Sequence, residues 1–131
     1  MSAIIDSKDM IYITGRTEVS DEEGVLDNSF LASLSGSGVV SWKKYLEFTN
    51  TGTSLLFSDN LLMMLNMNCF VINMINPDDG TDAGTIRMFS VCNSKNTDAF
   101  GYDMDINSDG NILVSGTRGG NFYLALKSSV E

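Results

Sequence analysis

A polar turn followed by a short apolar run occurs twice in this chain, 101 positions apart. Ile5-Asp6-Ser7-Lys8-Asp9-Met10-Ile11-Tyr12-Ile13-Thr14-Gly15 lies over Ile106-Asn107-Ser108-Asp109-Gly110-Asn111-Ile112-Leu113-Val114-Ser115-Gly116. Ile, Ser, Ile and Gly recur unchanged, and Asp/Asn, Ile/Val and Thr/Ser recur conservatively. Midway between them, Asp59-Asn60-Leu61-Leu62-Met63-Met64-Leu65 has the same outline without the glycine. The period is therefore 50 to 51 residues. A unit that recurs at such a spacing is a supersecondary element that buries its apolar face against the next copy.

The flanking segments repeat too. Phe30-Leu31-Ala32-Ser33-Leu34 resembles Phe122-Tyr123-Leu124-Ala125-Leu126, with Phe70-Val71-Ile72-Asn73-Met74 between them. Val39 to Tyr45 has a counterpart in Thr85 to Val91. Each unit reads as four strands joined by turns. This gives one all-β domain over 1–131 with repeats at about 3–48, 54–92 and 99–131. Runs of five to eight residues rich in Val, Ile, Phe and Tyr read as strands. Ser35-Gly36-Ser37-Gly38, Asn76-Pro77-Asp78-Asp79-Gly80, Asp109-Gly110 and Arg118-Gly119-Gly120-Asn121 punctuate them. Hydrophobicity alone allows a helix over Leu61 to Ile75, but the neighbouring repeats predict a hairpin turning at Asn66–Asn68. The acidic stretch from Glu18 to Asp27 replaces the short turn of the third repeat and reads as a protruding loop.

The pattern Asp109-Gly110-Asn111-Ile112-Leu113-Val114-Ser115-Gly116, followed by an aromatic-rich strand, resembles bacterial β-propeller repeats with the core D-x-x-G-N-x-Y-V-T-G. Asp6 through Thr17, then Phe30 to Gly38 and Trp42, is similar to the same unit. The resemblance is good over the outer two thirds of the chain and poor over the middle third. It implies four-stranded antiparallel blades and a binding or scaffolding surface, with no chemistry attached. Propellers close with about four to eight blades, and this sequence holds fewer than three complete ones. The expectation is a partial propeller, opening on an innermost strand at Ala3–Asp6, ending after the third strand of its last unit, and closed by self-association or by docking onto a larger assembly. A β-sandwich or barrel is the alternative architecture.

Composition narrows the function. The net charge is −9 and the eight basic residues form no run beyond Lys43-Lys44. A surface of that sign repels phosphate backbones and anionic lipid, so nucleic acid is not an expected partner. Leu61 to Ile75, interrupted by Asn66, Asn68 and Asn73, is too short and polar to span a bilayer. No signal peptide is recognisable at the N-terminus. A cytoplasmic or particle-associated location is expected. The absence of histidine removes Ser-His triads, HExxH zinc sites and Cys-His pairs. The eight methionines read as adaptable core filler.

Four groups are candidate sites. Asp105, Asn107, Asp109 and Asn111 place oxygens at alternate positions around Gly110, as in the first part of a calcium loop. A glutamate at the twelfth position is missing, since Gly116 stands there, and a plain hairpin turn using Asp109-Gly110 explains the same residues. Cys69 and Cys92 face each other if the hairpin between them turns symmetrically at Gly80 and Thr81, a separation slightly long for a relaxed disulfide. Trp42 and Tyr45 are candidates for a sugar-stacking platform, although alternation aligns Val40, Trp42 and Leu46 on one face and favours a core tryptophan. Glu22 and Glu23, with Asp27, lie on the acidic loop, where binding residues tend to sit. Asp78, Asp79 and Asp82 read as a solvated turn cluster. No acid pair has the burial that raises a catalytic carboxyl.

The expected function is a non-catalytic structural or protein-interaction module, acting as an oligomer or as a subunit of a virion, tail or surface assembly, without a required cofactor. The alternative is a carbohydrate-binding module, with or without calcium.

Overall fold

The structure is a computed structural model and describes residues 1–21, 24–46, 52–67, 70–87 and 99–127. Every element among them is a β-strand. Eleven strands form three antiparallel sheets, each a simple up-and-down meander. The first holds β1 (Ser2–Ile5), β2 (Ile11–Asp21), β3 (Gly24–Leu34) and β4 (Val40–Leu46). The second holds β5 (Gly52–Ser58), β6 (Leu61–Asn66), β7 (Val71–Ile75) and β8 (Asp82–Arg87). The third holds β9 (Ala99–Ile106), β10 (Ile112–Arg118) and β11 (Asn121–Lys127). Among the described residues no sheet closes into a barrel, and three sheets rather than two pack face to face around two separate cores, so the sandwich and barrel alternatives do not describe them. No described helix is long and apolar enough to cross a membrane.

The turn chemistry explains why the meanders form. Asp6 Oδ1 accepts the backbone N–H groups of Lys8 and Met10 at 2.8 and 3.0 Å. Asn107 Oδ1 accepts those of Asp109 and Asn111 at 3.0 and 2.9 Å. Both turns also carry the same pair of backbone bonds, Asp6–Met10 with Asp9–Asp6 and Asn107–Asn111 with Gly110–Asn107. Asp9 and Gly110 take the left-handed position, at φ 62° and 82°. The 101-residue offset is thus a repeated hairpin geometry. In the second sheet Asp59 and Asn60, at φ 51° and 62°, make a tighter two-residue turn.

The second sheet lies between the other two. On one side, Tyr12, Leu31, Leu55, Leu62, Met64 and Ile75 form one core with the first sheet. On the other, Met63, Leu65, Phe70, Ile72, Met104, Ile112 and Val114 form a second core with the third sheet. Along β6, Leu62 and Met64 point one way and Met63 and Leu65 the other, as strand alternation requires. This doubly buried strand therefore reads as an unbroken apolar run, and 61–75 is a hairpin, although Asn66, expected in its turn, is still part of β6 and the Leu65–Ile72 pair centres the turn later. Buried methionines fill both cores.

Several expectations are corrected by pairing. Over its described residues the stretch from Glu18 to Asp27 is strand, not loop: β2 runs to Asp21 and β3 starts at Gly24, with Glu18 opposite Asp27 and Asp21 opposite Gly24. Phe30 has Tyr123, not Phe122, as its counterpart, because Gly15 pairs with Phe30 and Gly116 with Tyr123. A one-residue slip of this kind exchanges the two faces of a strand. The counterpart of β4 begins at Asp82 rather than Thr85. Val40 does not share the face of Trp42: a bulge leaves Ser41 unpaired between Leu34–Val40 and Ser33–Trp42, which changes the phase and exposes Val40.

Candidate functional site

Two places in this fold bring polar or apolar side chains together in a usable way. The first is an open cleft of about 850 Å³ between the first two sheets, at the end where their hairpins turn. Asp6, Lys8, Tyr12, Asp59, Asn60 and Asp78 line it. Tyr12 leaves the core with its hydroxyl foremost and donates to Asp6 Oδ2 at 3.1 Å. Burial, the hydrogen bond to Asp6 and the negative charges of Asp6 and Asp78 push the Tyr12 phenol up to about 12. Burial acts to raise the Asp6 carboxyl. The N–H groups of Met10 and Lys8 and the Tyr12 hydroxyl outweigh it and hold Asp6 below its ordinary value. Tyr12 packs edge-on to Phe57 at 5.0 Å between centroids. The pair therefore anchors the turn to the core and holds a proton firmly between two fixed oxygens.

Trp42 stands at the outer rim of the same interface. Its Nε1 donates to the carbonyl of Pro77 at 2.9 Å, and its ring is half-buried. Nearby, Lys44 donates to the Gly80 carbonyl and pairs with Asp82, both at 3.0 Å. Trp42 is accordingly a clasp between sheets rather than an open platform. Tyr45 is 64% exposed, with the Lys43 ammonium 4.9 Å from its ring centroid. Asp78 and Asp79 are solvent-facing turn residues. The hydroxyl and N–H of Thr81 lower the Asp79 carboxyl. Asp82, which starts β8, is solvent-facing like them, and its exposed carboxylate pairs with Lys44 of the first sheet.

The calcium candidates share one hairpin. Asp105 Oδ1 accepts the N–H of Ile106 at 2.8 Å, Asn107 Oδ1 is committed to two backbone donors, and Asp109 is exposed. Among the described residues, no three His, Cys, Asp or Glu side chains gather around one point. Glu22, Glu23, Cys69 and Cys92 lie outside the described residues. Over the described residues of the hairpin between the two cysteines the symmetric register is not the one formed. A symmetric turn sets Met74 opposite Arg87, whereas Val71 occupies that place. The position of the Asn76–Thr81 turn causes the slip, and the unpaired Ala83 takes one residue of it back.

The second place is the pair of outward faces at the ends of the three-sheet arrangement. The first sheet exposes Ile5, Val40 and Tyr45, and the third exposes Leu113, Phe122 and Leu124. Surface patches of this kind mark interaction sites when they are contiguous. Cross-strand pairing makes them so: Leu124 pairs with Ser115, and Phe122 with Thr117, on the face that carries Leu113. Sequence reasoning singled out none of these six except Tyr45. The available signal was the run Phe122 to Leu126, apolar in both phases of the strand, which predicts burial on both sides. No protein-family model matches the chain, and no curated protein matches it either.

Proposed function

We propose that this chain is a non-catalytic structural or protein-interaction module that works within an assembly, its three sheets acting as propeller-like blades. The observation that carries this reading is the exposure of large apolar side chains at both ends of the arrangement, while its middle sheet is covered on both sides. Burial of one such side chain is worth roughly 1.5–3 kcal/mol, so faces of this character favour contact with a partner. In the cleft beside Tyr12 the Asp6 carboxylate is bound to backbone donors and held below its ordinary value, opposite to the elevation a general acid needs at neutral pH.

Light scattering after size-exclusion chromatography tests the proposal. A mass above that of the 14.3 kDa chain, or a stable complex with a partner protein, is expected. A monomer that remains monomeric at high concentration and retains these faces in water would sink it. A glycan-binding reading has one observation in its favour, the exposed ring of Tyr45. Loss of binding on a carbohydrate array after Tyr45→Ala is its test.

A further inference from the structure

The strand registers relate the two outward faces to the interfaces already formed inside the molecule. Tyr12 pairs with Ser33, Met63 with Met74 and Leu113 with Leu126, so Tyr12, Met63 and Leu113 hold one equivalent position in the three sheets. Leu31, Ile72 and Leu124 hold another, opposite Thr14, Leu65 and Ser115. In the first sheet these positions pack on the second, and in the second they pack on the third. In the third they meet water. Tyr12 is 2% and Leu31 0% exposed, whereas Leu113 is 42% and Leu124 53% exposed.

The opposite faces show the complementary pattern. Leu62 and Met64 in the second sheet, and Ile112 and Val114 in the third, are buried against the preceding sheet. Their equivalents in the first sheet, Ile11 and Ile13, are only half-buried, with Ile5 exposed beside Ile11. Ile5 corresponds to Ile106, which packs against the third sheet's core.

A knob and a socket sharpen the match. Phe70, fully buried, lies two residues before Ile72 and packs against Gly116 and Gly101 of the third sheet. Phe122 lies two residues before the equivalent Leu124 and is 75% exposed. Gly15 is the register equivalent of Gly116; it is buried, with side-chain atoms of Met1 and Phe30 at 3.4–3.5 Å from where its Cβ would be, so the exposed Met1 side chain must swing aside for an incoming ring.

Resting on the interaction-module reading, we propose that the outward face of the third sheet docks on the outward face of the first sheet in a second copy of this chain, with Phe122 seated at Gly15. The contact continues the interface that joins the second and third sheets. It uses two different faces, so it is head-to-tail and propagates until it closes. Two copies supply six sheets, inside the range of about four to eight over which such rings close. The closed form is therefore a twofold ring.

The test uses the full chain with Leu124→Asp, which disables the third sheet's face, and Ile5→Asp, which disables the first sheet's. The wild type is expected to have twice the chain mass, and each variant alone half of the wild-type value with an unchanged far-UV circular dichroism spectrum. A one-to-one mixture of the two is expected to regain a dimer, because one intact face of each kind remains. Phe122→Asp serves if Leu124→Asp fails to fold. Benzoylphenylalanine at position 122, which leaves the ring in place, is expected to photocrosslink to peptides around Gly15 of another copy. A monomeric wild type overturns this pairing; the broader reading falls with it only when no stable complex with a partner protein forms either. An oligomer undiminished by Leu124→Asp and Phe122→Asp, variants that dissociate but do not recombine, or crosslinks joining position 122 to the third sheet of another copy overturn the pairing alone.

Discussion

The indole of Trp42 lies against Gly80 of the second sheet, so that a Cβ at Gly80 would stand 2.7 Å from a ring carbon. Gly80 also has φ 77°, where side chains are disfavoured. Two constraints of different origin meet at this glycine: the turn before β8 needs the left-handed conformation, and the clasp from β4 needs the space. Trp42 then reports on the interface between the first and second sheets, since its Nε1 is bound to Pro77.

Gly80→Ala is expected to lower stability by about 1–3 kcal/mol, from strain together with overpacking. Urea unfolding followed by Trp42 fluorescence measures it. The native emission of the variant should shift to the red as the indole is displaced, and an unchanged midpoint would contradict the packing described.

The Tyr12–Asp6 pair predicts alkaline weakening. The unfolded phenol loses its proton near pH 10, whereas the folded one holds it to about 12. The folded state binds more protons across that window. Its contribution is complete below pH 10 and is lost as pH rises to about 12. Asp6 behaves oppositely, with its contribution present above the usual carboxylate range and lost as acid protonates the folded carboxyl. Thermal melts from pH 9 to 12 should fall more steeply for wild type than for Tyr12→Phe, which itself costs on the order of 1 kcal/mol at pH 7.

Gly116→Ala and Gly15→Ala should differ although they share a register position. A Cβ at Gly116 collides with the Phe100 carbonyl oxygen and the Phe70 ring, while one at Gly15 meets Met1 and Phe30 at 3.4 Å. The first change is expected to cost about 2 kcal/mol or more, since backbone cannot yield as a flexible side chain does. The second, made in the Leu124→Asp background where no second copy covers Gly15, should cost under about 1 kcal/mol. Chemical denaturation of the two variants side by side decides it, and equal losses would contradict the sheet packing.

Asn107 is expected to act as a turn residue. Asn107→Ala removes the acceptor for the Asp109 and Asn111 N–H groups and should lower the melting temperature by several degrees, in line with about 1–2 kcal/mol. Asp6→Ala should do the same to the first hairpin. Millimolar calcium should leave the wild-type melting temperature unchanged; an increase would show that the Asp105–Asp109 oxygens hold the ion.

Much of this architecture is legible without coordinates, because short-range chemistry governs it. The repeat from Ile5 to Gly15 and from Ile106 to Gly116 marks a recurrent hairpin, since the side-chain oxygen of Asp6 or Asn107 and the residue that follows at positive φ suffice to make the turn. The strands of the second sheet are equally plain, as their apolar runs are bounded by Asp59-Asn60 and by Asn76 to Gly80. Register is another matter. Unpaired residues at Ser41, Ala83 and Tyr102 each change which side chains share a face, and nothing in the local composition announces them. The strand pairing over the described residues from Glu18 to Asp27 was hidden for a related reason: the acidic residues resemble loop, and only the cross-strand partners show the strands.

The sequence by itself thus determined the strand-and-turn grammar, the recurrence of one hairpin geometry at Asp6 and Asn107 and the lack of histidine, all of which depend on contacts within a few residues or on composition. Only the tertiary structure decided which face each strand turns inward, that Trp42 clasps two sheets, and that Phe122 and Leu124 stand in water where Phe70 and Ile72 are buried. Those facts depend on pairing across tens of residues, where a shift of one position exchanges inside for outside.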